Sequence, residues 1–232
     1  MADSPTAAVL AGLACIVVVL LCAGCVGPPR LDPLPAGPGA CDQLCGGAFA
    51  QKPFRVVHTI DVEGPFGVRS SLVGVTVGFP ESRDLRAMLL SVEGPTLFDA
   101  VYADGEVRVN KAAPPMDREG FAEALLSDVR FLLFGPKKPV EECGVEPQGR
   151  FVCRYPTSGG GVVDVVRQGD AHEVAEYGSS GTTVREFRTG GAGPEGFGKK
   201  ARLTRHVGGT YTLRLVLVSA ETLDAGRELL DK

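Results

Sequence analysis

The sequence is poor in aromatic side chains and has no excess of positive charge. It contains no Trp, only 6% of its 232 residues are aromatic, and 24 Lys and Arg stand against 28 Asp and Glu. The net charge of −4 argues against a nucleic-acid-binding surface, since such surfaces need clustered positive charge. The 31 Gly and 17 Pro exceed what a helical bundle tolerates, and they favour many short strands joined by turns.

Histidine, a common catalytic and metal-binding residue, occurs only three times. His58, His172 and His206 each lie in a predicted strand, and none has a neighbouring His or Cys at metal-ligand spacing. The sequence also lacks the G-x-S-x-G and H-E-x-x-H motifs. The letters G-x-G-x-x-G occur at residues 191–196, but Pro and further Gly predict a loop instead of the helix that this motif requires. We therefore expect a protein that is not an enzyme and that holds no metal ion and no cofactor.

The N-terminal region contains the longest apolar run. Residues 7–24 include no charged side chain, and this length is close to what is needed to span a bilayer. The run ends in LCAGC at residues 21–25, which resembles the lipobox of bacterial lipoproteins, where small residues precede an acylated Cys. The resemblance implies that residues 1–24 are a signal peptide and that Cys25 carries membrane-anchoring lipid chains such as palmitate. An uncleaved transmembrane anchor is the alternative.

The next stretch has the composition of a linker. Residues 26–40 contain five Pro and three Gly, so they favour neither a helix nor a central strand. We interpret residues 25–40 as the lipidated Cys followed by an extended tether, and residues 41–232 as one domain. Val26 stands where an Asp would favour the inner membrane of enteric bacteria, so the resemblance points to the outer membrane.

Four Cys remain once the signal peptide and Cys25 are set aside. They are Cys41, Cys45, Cys143 and Cys153. An even number in an exported protein indicates disulfide bonds, for which three connectivities are possible. We favour a crossed pairing over two local bonds, because a C-x₃-C spacing in one helical turn leaves both thiols on one face, free to reach separate partners. Crossed bonds would also close loops of about a hundred residues and so stabilise more than local ones.

The domain is predicted to be mainly β. Short runs rich in β-branched residues recur along it, and Asp104-Gly105 and Gly208-Gly209 are typical hairpin turns. The predicted strands are 54–62, 68–78, 85–92, 97–102, 106–109, 162–167, 172–177, 182–188, 200–207 and 211–218. One amphipathic helix is predicted between an Asp117 N-cap and Gly135-Pro136, and a second short helix over 221–230. We expect an antiparallel sheet that covers a helix.

A longer pattern connects these elements. From Leu85 to Pro136 the sequence runs through a strand, a Gly-Pro turn, the hairpin at Asp104-Gly105, a Pro-Pro pair and the helix ending in Phe-Gly-Pro. In this order, and in its closing hairpin of strands 201–207 and 211–218, the chain resembles LolB and the LolB-like outer-membrane lipoproteins. The resemblance implies an antiparallel half-barrel, of the LolA/LolB type, that encloses an apolar cavity.

The resemblance also implies a function. LolB receives the acyl chains of lipoproteins from a periplasmic carrier and delivers them to the outer membrane. We therefore expect a lipid-anchored protein that faces the periplasm and binds or transfers lipid or lipoprotein acyl chains, with membrane lipid and a periplasmic carrier protein as partners. The expected cavity-lining residues, for which plain core packing is the alternative, are Met88, Leu90, Leu125, Val129 and Leu132. The alternative function is that of a structural or assembly lipoprotein that binds a protein partner without transferring lipid.

Overall fold

The computed structural model describes residues 27–34, 40–47, 49–64, 67, 69–224 and 230, so the expected signal peptide and Cys25 lie outside it. Within these residues there are two α-helices, α1 (Ala40–Cys45) and α2 (Phe121–Phe134), and a 3₁₀ turn at Pro194–Gly196. The thirteen strands of the same part of the chain are β1 (Asp32–Pro33), β2 (Phe54–Glu63), β3 (Arg69–Phe79), β4 (Asp84–Ser91), β5 (Thr96–Ala103), β6 (Glu106–Ala112), β7 (Glu142–Val145), β8 (Phe151–Pro156), β9 (Val162–Gln168), β10 (Ala171–Tyr177), β11 (Thr183–Ala192), β12 (Gly198–Arg205) and β13 (Tyr211–Thr222).

All of these strands belong to one antiparallel sheet. Its order is β1-β7-β8-β9-β10-β11-β12-β13-β2-β3-β4-β5-β6. Most neighbours in the sheet are also neighbours in the sequence, whereas β13 with β2 and β1 with β7 join distant parts of the chain. β1 and β6 occupy the two outer positions, so the sheet is open. The prediction of a mainly β, antiparallel fold is confirmed.

Helix α2 contacts strands from both halves of this sheet. Leu126 packs with Leu85 of β4 and Phe98 of β5 in one buried cluster. On the opposite side of the helix, Asp128 bonds to Arg185 of β11. β4 and β11 are five positions apart in the sheet order, which is about 24 Å in a flat sheet with ~4.8 Å between strands. A helix with its side chains is only about 10–12 Å across. The sheet therefore curves around α2, and the predicted half-barrel covering a helix is confirmed.

The interior consists of two main apolar clusters that share α2. Phe54, Phe98 and Leu126 are fully buried in the cluster formed with β2–β5. Phe131 and Leu203 belong to the cluster formed with β7–β13. Burying a side chain of this size stabilises the fold by roughly 1.5–3 kcal/mol. The amphipathic face of α2 therefore holds the two halves of the sheet together.

Several elements differ from the sequence predictions. β7 and β8 were not predicted, because each is short. β13 continues through Thr222, so the helix predicted over 221–230 is wrong at its start, and residues 225–229 lie outside the described chain. Asp117 is not the N-cap of α2. Gly120 takes that position with a φ of 75°, and no side chain caps the helix there.

The described part of the expected tether packs against the domain. Leu31 is buried together with Val152 and Val166. The Pro29 carbonyl accepts a hydrogen bond from Arg154 Nη2 at 2.7 Å, and β1 pairs with β7. A two-residue strand that contains Pro suits this edge position, since Pro cannot donate to a central ladder. Residues 27–34 therefore differ from the extended tether predicted for residues 25–40.

Candidate functional site: a cavity on the concave face

A cavity of about 360 Å³ lies between the second half of α2 and the concave face of the sheet. This volume is at the lower end of the range of about 300–1,000 Å³ that is typical of small-molecule sites. The apolar part of its wall includes Leu132 and Leu133 of α2 and Phe54, Phe187 and Leu215 of the sheet. Residues 49–52, which follow α1, and residues 195–198, which join β11 to β12, cover it.

Two disulfide bonds hold the first of these covering segments. Cys41 is bonded to Cys143 of β7, and Cys45 is bonded to Cys153 of β8, with Cα atoms 5.6 and 5.8 Å apart. This is one of the two crossed connectivities that the sequence favours. Because α1 ends only a few residues before residues 49–52, the two bonds hold that segment over the concave face. The disulfides therefore help to form the cavity as well as to stabilise the fold.

The covering segment meets the end of α2 at a glycine. Gly135 follows the last residue of the helix, as predicted, and has a φ of 61°. A Cβ atom at this position would lie 2.3 Å from Cε2 of the Phe49 ring. Any larger residue would meet backbone strain and a steric clash here. Gly135 therefore allows Phe49 to pack directly against the end of α2.

Two histidines line the cavity, and both are neutral at pH 7. Burial lowers the pKa of His58 to about 4. Burial, followed by the positive charge of Arg167, lowers the pKa of His172 to about 4. His172 Nδ1 lies 3.0 Å from Thr189 Oγ1, whereas its Nε2 is buried without a hydrogen-bond partner among the described residues. Since an unpaired buried polar atom costs about 1–3 kcal/mol, this nitrogen favours a ligand with a polar group.

A buried carboxylate fixes α2 to the strands on one side of the cavity. Asp128 Oδ1 accepts hydrogen bonds from Arg185 at 2.6 Å and from Arg205 at 2.8 Å. Its Oδ2 accepts a hydrogen bond from the Tyr211 hydroxyl. Burial, and then the charge of Asp128, raise the pKa of Tyr211, so the phenol stays protonated and donates. These three partners lie in β11, β12 and β13, and sequence analysis identified none of them.

Of the three α2 residues predicted to line the cavity, one lies in its wall and two lie elsewhere. Leu132 lies in the cavity wall. Leu125 and Val129 are half-buried and pack instead against the cluster formed with β2–β5. Leu125 and Val129 therefore follow the stated alternative, which is packing in the apolar core.

The two predicted lining residues of β4 require a correction. Met88 and Leu90 do not line the cavity, because Ala87 and Leu89 of the same strand are the residues buried towards α2. Side chains alternate across a strand, so Met88 and Leu90 lie on the opposite face. Met88 pairs there with Val75 of β3 and with Asp99 of β5, so that face is partly apolar and partly charged.

Sequence analysis missed most of the aromatic lining. Phe49, Phe187 and Phe197 come from three separate segments and meet only in the folded chain. Within the described residues, no three His, Cys, Asp or Glu side chains are grouped as a metal site would require. None of the helices seen in this part of the chain is long and apolar enough to cross a membrane.

Two solved structures are distantly similar to this chain. No model of a known protein family matches the chain, and no curated protein matches it in sequence. A LolA superfamily protein from Nitrosomonas europaea is similar over 79% of this chain and 92% of its own, with 10% identity and a TM-score of 0.47. MucB, in its complex with MucA(peri), is similar over 82% of this chain, with 17% identity and a TM-score of 0.29, and this chain spans only 58% of it. Because both scores are low, the fold rests on the strand order and the position of α2.

Proposed function

We propose that this protein is a membrane-anchored lipoprotein that binds an acyl chain in its cavity and transfers it at the outer membrane, facing the periplasm. The observation that carries the proposal is the apolar wall, where Leu132 of α2 faces Phe187 and Leu215 of the sheet. Each methylene group of an acyl chain that leaves water for such a wall contributes about 0.8 kcal/mol. A concave apolar surface is therefore suited to shielding a chain during transfer.

The polar atom in this wall suits the head of an acyl chain. An ester or a carboxylic acid has a carbonyl oxygen, which accepts hydrogen bonds. His172 Nε2 has no partner among the described residues, and the neutral tautomer protonated there can donate to such an oxygen. The chain would thus bind with its carbonyl at His172 and its methylenes against the phenylalanines and leucines.

The anchor belongs to the same proposal. The LCAGC motif at residues 21–25 supports acylation of Cys25, which would replace a membrane-spanning segment with lipid chains. Two or three such chains hold a protein on a membrane almost irreversibly, because each buried methylene group adds about 0.8 kcal/mol. Leu31, six residues after Cys25, is buried with Val152 and Val166 of the domain, so the domain would lie close to the bilayer.

A photoactivatable palmitate tests the cavity. Cells that make the full chain with Cys25→Ser are fed a diazirine-bearing palmitate, so that covalent acylation at Cys25 does not mask binding. After irradiation, crosslinked peptides are mapped by mass spectrometry. We expect crosslinks on peptides that contain residues 49–52 or Leu132, which line the cavity.

Two matched variants make this test specific. Ala201→Phe places a ring in the cavity wall and should abolish the crosslinks, whereas Val216→Phe on the exposed face of the next strand should keep them. Crosslinks that survive Ala201→Phe, or that never form on these peptides, would refute acyl-chain binding. Binding of a protein partner without lipid would then describe the function.

Metabolic labelling tests the anchor separately. Cys25→Ser should remove radioactive palmitate from the chain, whereas Cys22→Ser should retain it, because Cys25 follows two small residues and Cys22 follows Leu21. Label that persists in the Cys25→Ser chain would move the acylation site to another cysteine or leave an uncleaved anchor.

A further inference from the structure

A second pocket, of about 290 Å³, lies at the other side of α2's C-terminal half. It is formed by Arg130 and Phe131 of α2, by residues 135–138, by Arg83 in the turn between β3 and β4, and by residues 156–158. None of its lining residues lines the acyl-chain cavity. The two pockets are therefore separate sites.

Positive charge dominates this second pocket. Five cationic side chains line it, namely Arg83, Arg130, Lys137, Lys138 and Arg185. Glu176 is the one carboxylate among its described lining residues, and Arg185 already bonds to it at 2.6 Å. The charges of the other four side chains are left without a carboxylate in the pocket. Such a concentration of one sign attracts an anion.

Two of the guanidinium groups have unused hydrogen-bond donors. Arg83 donates to the carbonyls of Phe134, Gly135 and Pro136 at the end of α2, but its Nε is buried without a partner. Arg130 lies over the Tyr102 ring, 3.8 Å from its centroid, and its Nε is likewise buried and unpartnered among the described residues. Buried donors of this kind are normally satisfied, so both guanidinium groups retain hydrogen-bonding capacity for a further acceptor.

The two guanidinium groups also affect each other. Burial lowers the pKa of Arg83, and the positive charge of Arg130 lowers the pKa further. Two like charges that line one pocket repel each other. An anion in the pocket would remove that repulsion.

We propose that this basic pocket binds a phosphate group, carried either by free phosphate or by a lipid headgroup. Guanidinium groups match the oxygens of a phosphate with two parallel hydrogen bonds, and the lysines add point charges. A phosphate also carries more negative charge than a carboxylate, which suits four uncompensated cations. The proposal does not depend on the acyl-chain cavity.

The position of the pocket brings it to the end of the domain where the expected anchor joins. Residues 157 and 158 of its rim belong to the turn that also contains Gly160, and Gly160 lies against Ser179. The turn after Ser179 contains Gly181, where a Cβ atom would lie 2.8 Å from Cα of Gly27. The lipid-headgroup form of the proposal therefore rests on the proposed acylation of Cys25, which would bring this end of the domain to the bilayer.

The test uses the full chain in dodecyl maltoside micelles. Inorganic phosphate is titrated in one arm of the experiment. In the other arm, phosphatidic acid is mixed into the micelles, and dioleoylglycerol serves as the control lipid without a phosphate. Binding is followed by calorimetry and by the NMR signal of the Arg130 Nε–H group, which Arg130→Gln identifies. We expect saturable binding that weakens about tenfold or more in Arg130→Gln and in Lys137→Gln/Lys138→Gln.

Charge-matched controls decide the result. Arg202→Gln and Lys199→Gln/Lys200→Gln remove the same charges from exposed positions of β12 and should change binding less than about twofold. If both inorganic phosphate and phosphatidic acid bind, the phosphate group alone is enough for binding. If only phosphatidic acid binds, the ligand is a lipid headgroup. The proposal is overturned if neither ligand binds, if dioleoylglycerol binds equally, or if the controls weaken binding as much as the pocket variants. Lys137→Gln/Lys138→Gln, at two exposed positions, keeps the test valid even if Arg130→Gln unfolds the chain.

Discussion

The ring of Phe49 packs edge-on against the imidazole of His172, with 5.4 Å between the ring centroids and 70° between the ring planes. Phe187 meets the same imidazole at 5.5 Å. His172 is thus enclosed between two aromatic rings, one of which belongs to the covering segment. The low pKa of His172 therefore depends on the packing of Phe49, in residues 49–52, against the imidazole.

Truncating this ring should open the cavity. In Phe49→Ala, water reaches the imidazole, so the pKa of His172 should rise from about 4 towards its ordinary value of about 6.5. The free energy of unfolding should fall by about 1–3 kcal/mol, less than for a fully buried Phe. NMR titration of the imidazole protons measures the pKa. Phe121→Ala, which removes a ring packed on Phe98 away from the cavity, should leave it at about 4, and an equal shift in both variants would contradict this account.

The two cavity histidines should make stability depend on pH. The folded-state pKa of His58 and of His172 is about 4, below the unfolded value of about 6.5, so between these values the unfolded chain binds more protons. Their contribution is fully present above pH ~6.5 and is lost as the pH falls towards ~4.

Urea unfolding between about pH 7 and pH 4.5 measures this loss. Each histidine should lower the free energy of unfolding by roughly 1 kcal/mol per pH unit inside the window. His58→Gln should flatten the dependence, whereas replacement of His206, which is exposed and bonded to Glu186, should not. A slope that is the same in both variants would show that other groups cause it.

Asp128 should be essential for holding α2 in place. Asp128→Asn keeps the shape of the side chain but removes the carboxylate that pairs with Arg205 and one of the two that pair with Arg185 among the described residues. The loss should be about 3–5 kcal/mol, as for other buried ion pairs broken on one side. Chemical denaturation measures it. Asp61→Asn, an exposed carboxylate bonded to Ser71, should cost less than ~0.5 kcal/mol, and a similarly small loss at Asp128 would mean that apolar packing alone positions the helix.

Peptide mapping without reduction should find the crossed disulfides. Cleavage before Asp42 separates Cys41 from Cys45, and cleavage after Arg150 separates Cys143 from Cys153. Two linked pairs should then appear, Cys41–Cys143 and Cys45–Cys153. A peptide in which Cys41 is joined to Cys45 would refute this connectivity, and four free thiols would refute disulfides altogether. Because the bonded residues are 102 and 108 positions apart, the first bond to form should stabilise the fold by about 4–5 kcal/mol in the chain-entropy model, and the second, which then closes only a short loop, should add less.

Local sequence patterns predict much of the sheet. β2 and β3 begin and end within a residue or two of the predicted 54–62 and 68–78, because their β-branched residues alternate and a Gly-Pro pair separates them. β7 and β8 escaped prediction because they have only four and six residues and include charged side chains. β7 and β8 pair with each other in a local hairpin, whereas the pairing of β7 with β1 and the two disulfides join them to distant parts of the chain.

The resemblance implied an apolar cavity, but the sequence identified few of the residues that line it. Of the α2 residues expected to line it, Leu132 lies in its wall. In β4, Arg86 lies on the same face as Met88 and Leu90, so the alternation in the sequence favours the opposite face as the inward one, and the expectation for Met88 and Leu90 overlooked this pattern. The lining phenylalanines are far apart in sequence, and a single Phe in a short run is typical of any core. Sequence analysis did not predict the basic pocket, since its arginines come from α2, from β11 and from the turn before β4.

The strand order also means that β2 is synthesised long before its partner strand β13. β2 pairs with β13, and the ion pair across this junction joins Glu63 to Arg214, 151 residues later. Ribosomes add about 5–20 residues per second, so one edge of β2 stays unpaired for about ten seconds or more, until β13 has been synthesised. An unpaired strand edge recruits other strands. A newly made chain should therefore require a chaperone until its last strand arrives, and premature termination before β13 should cause aggregation.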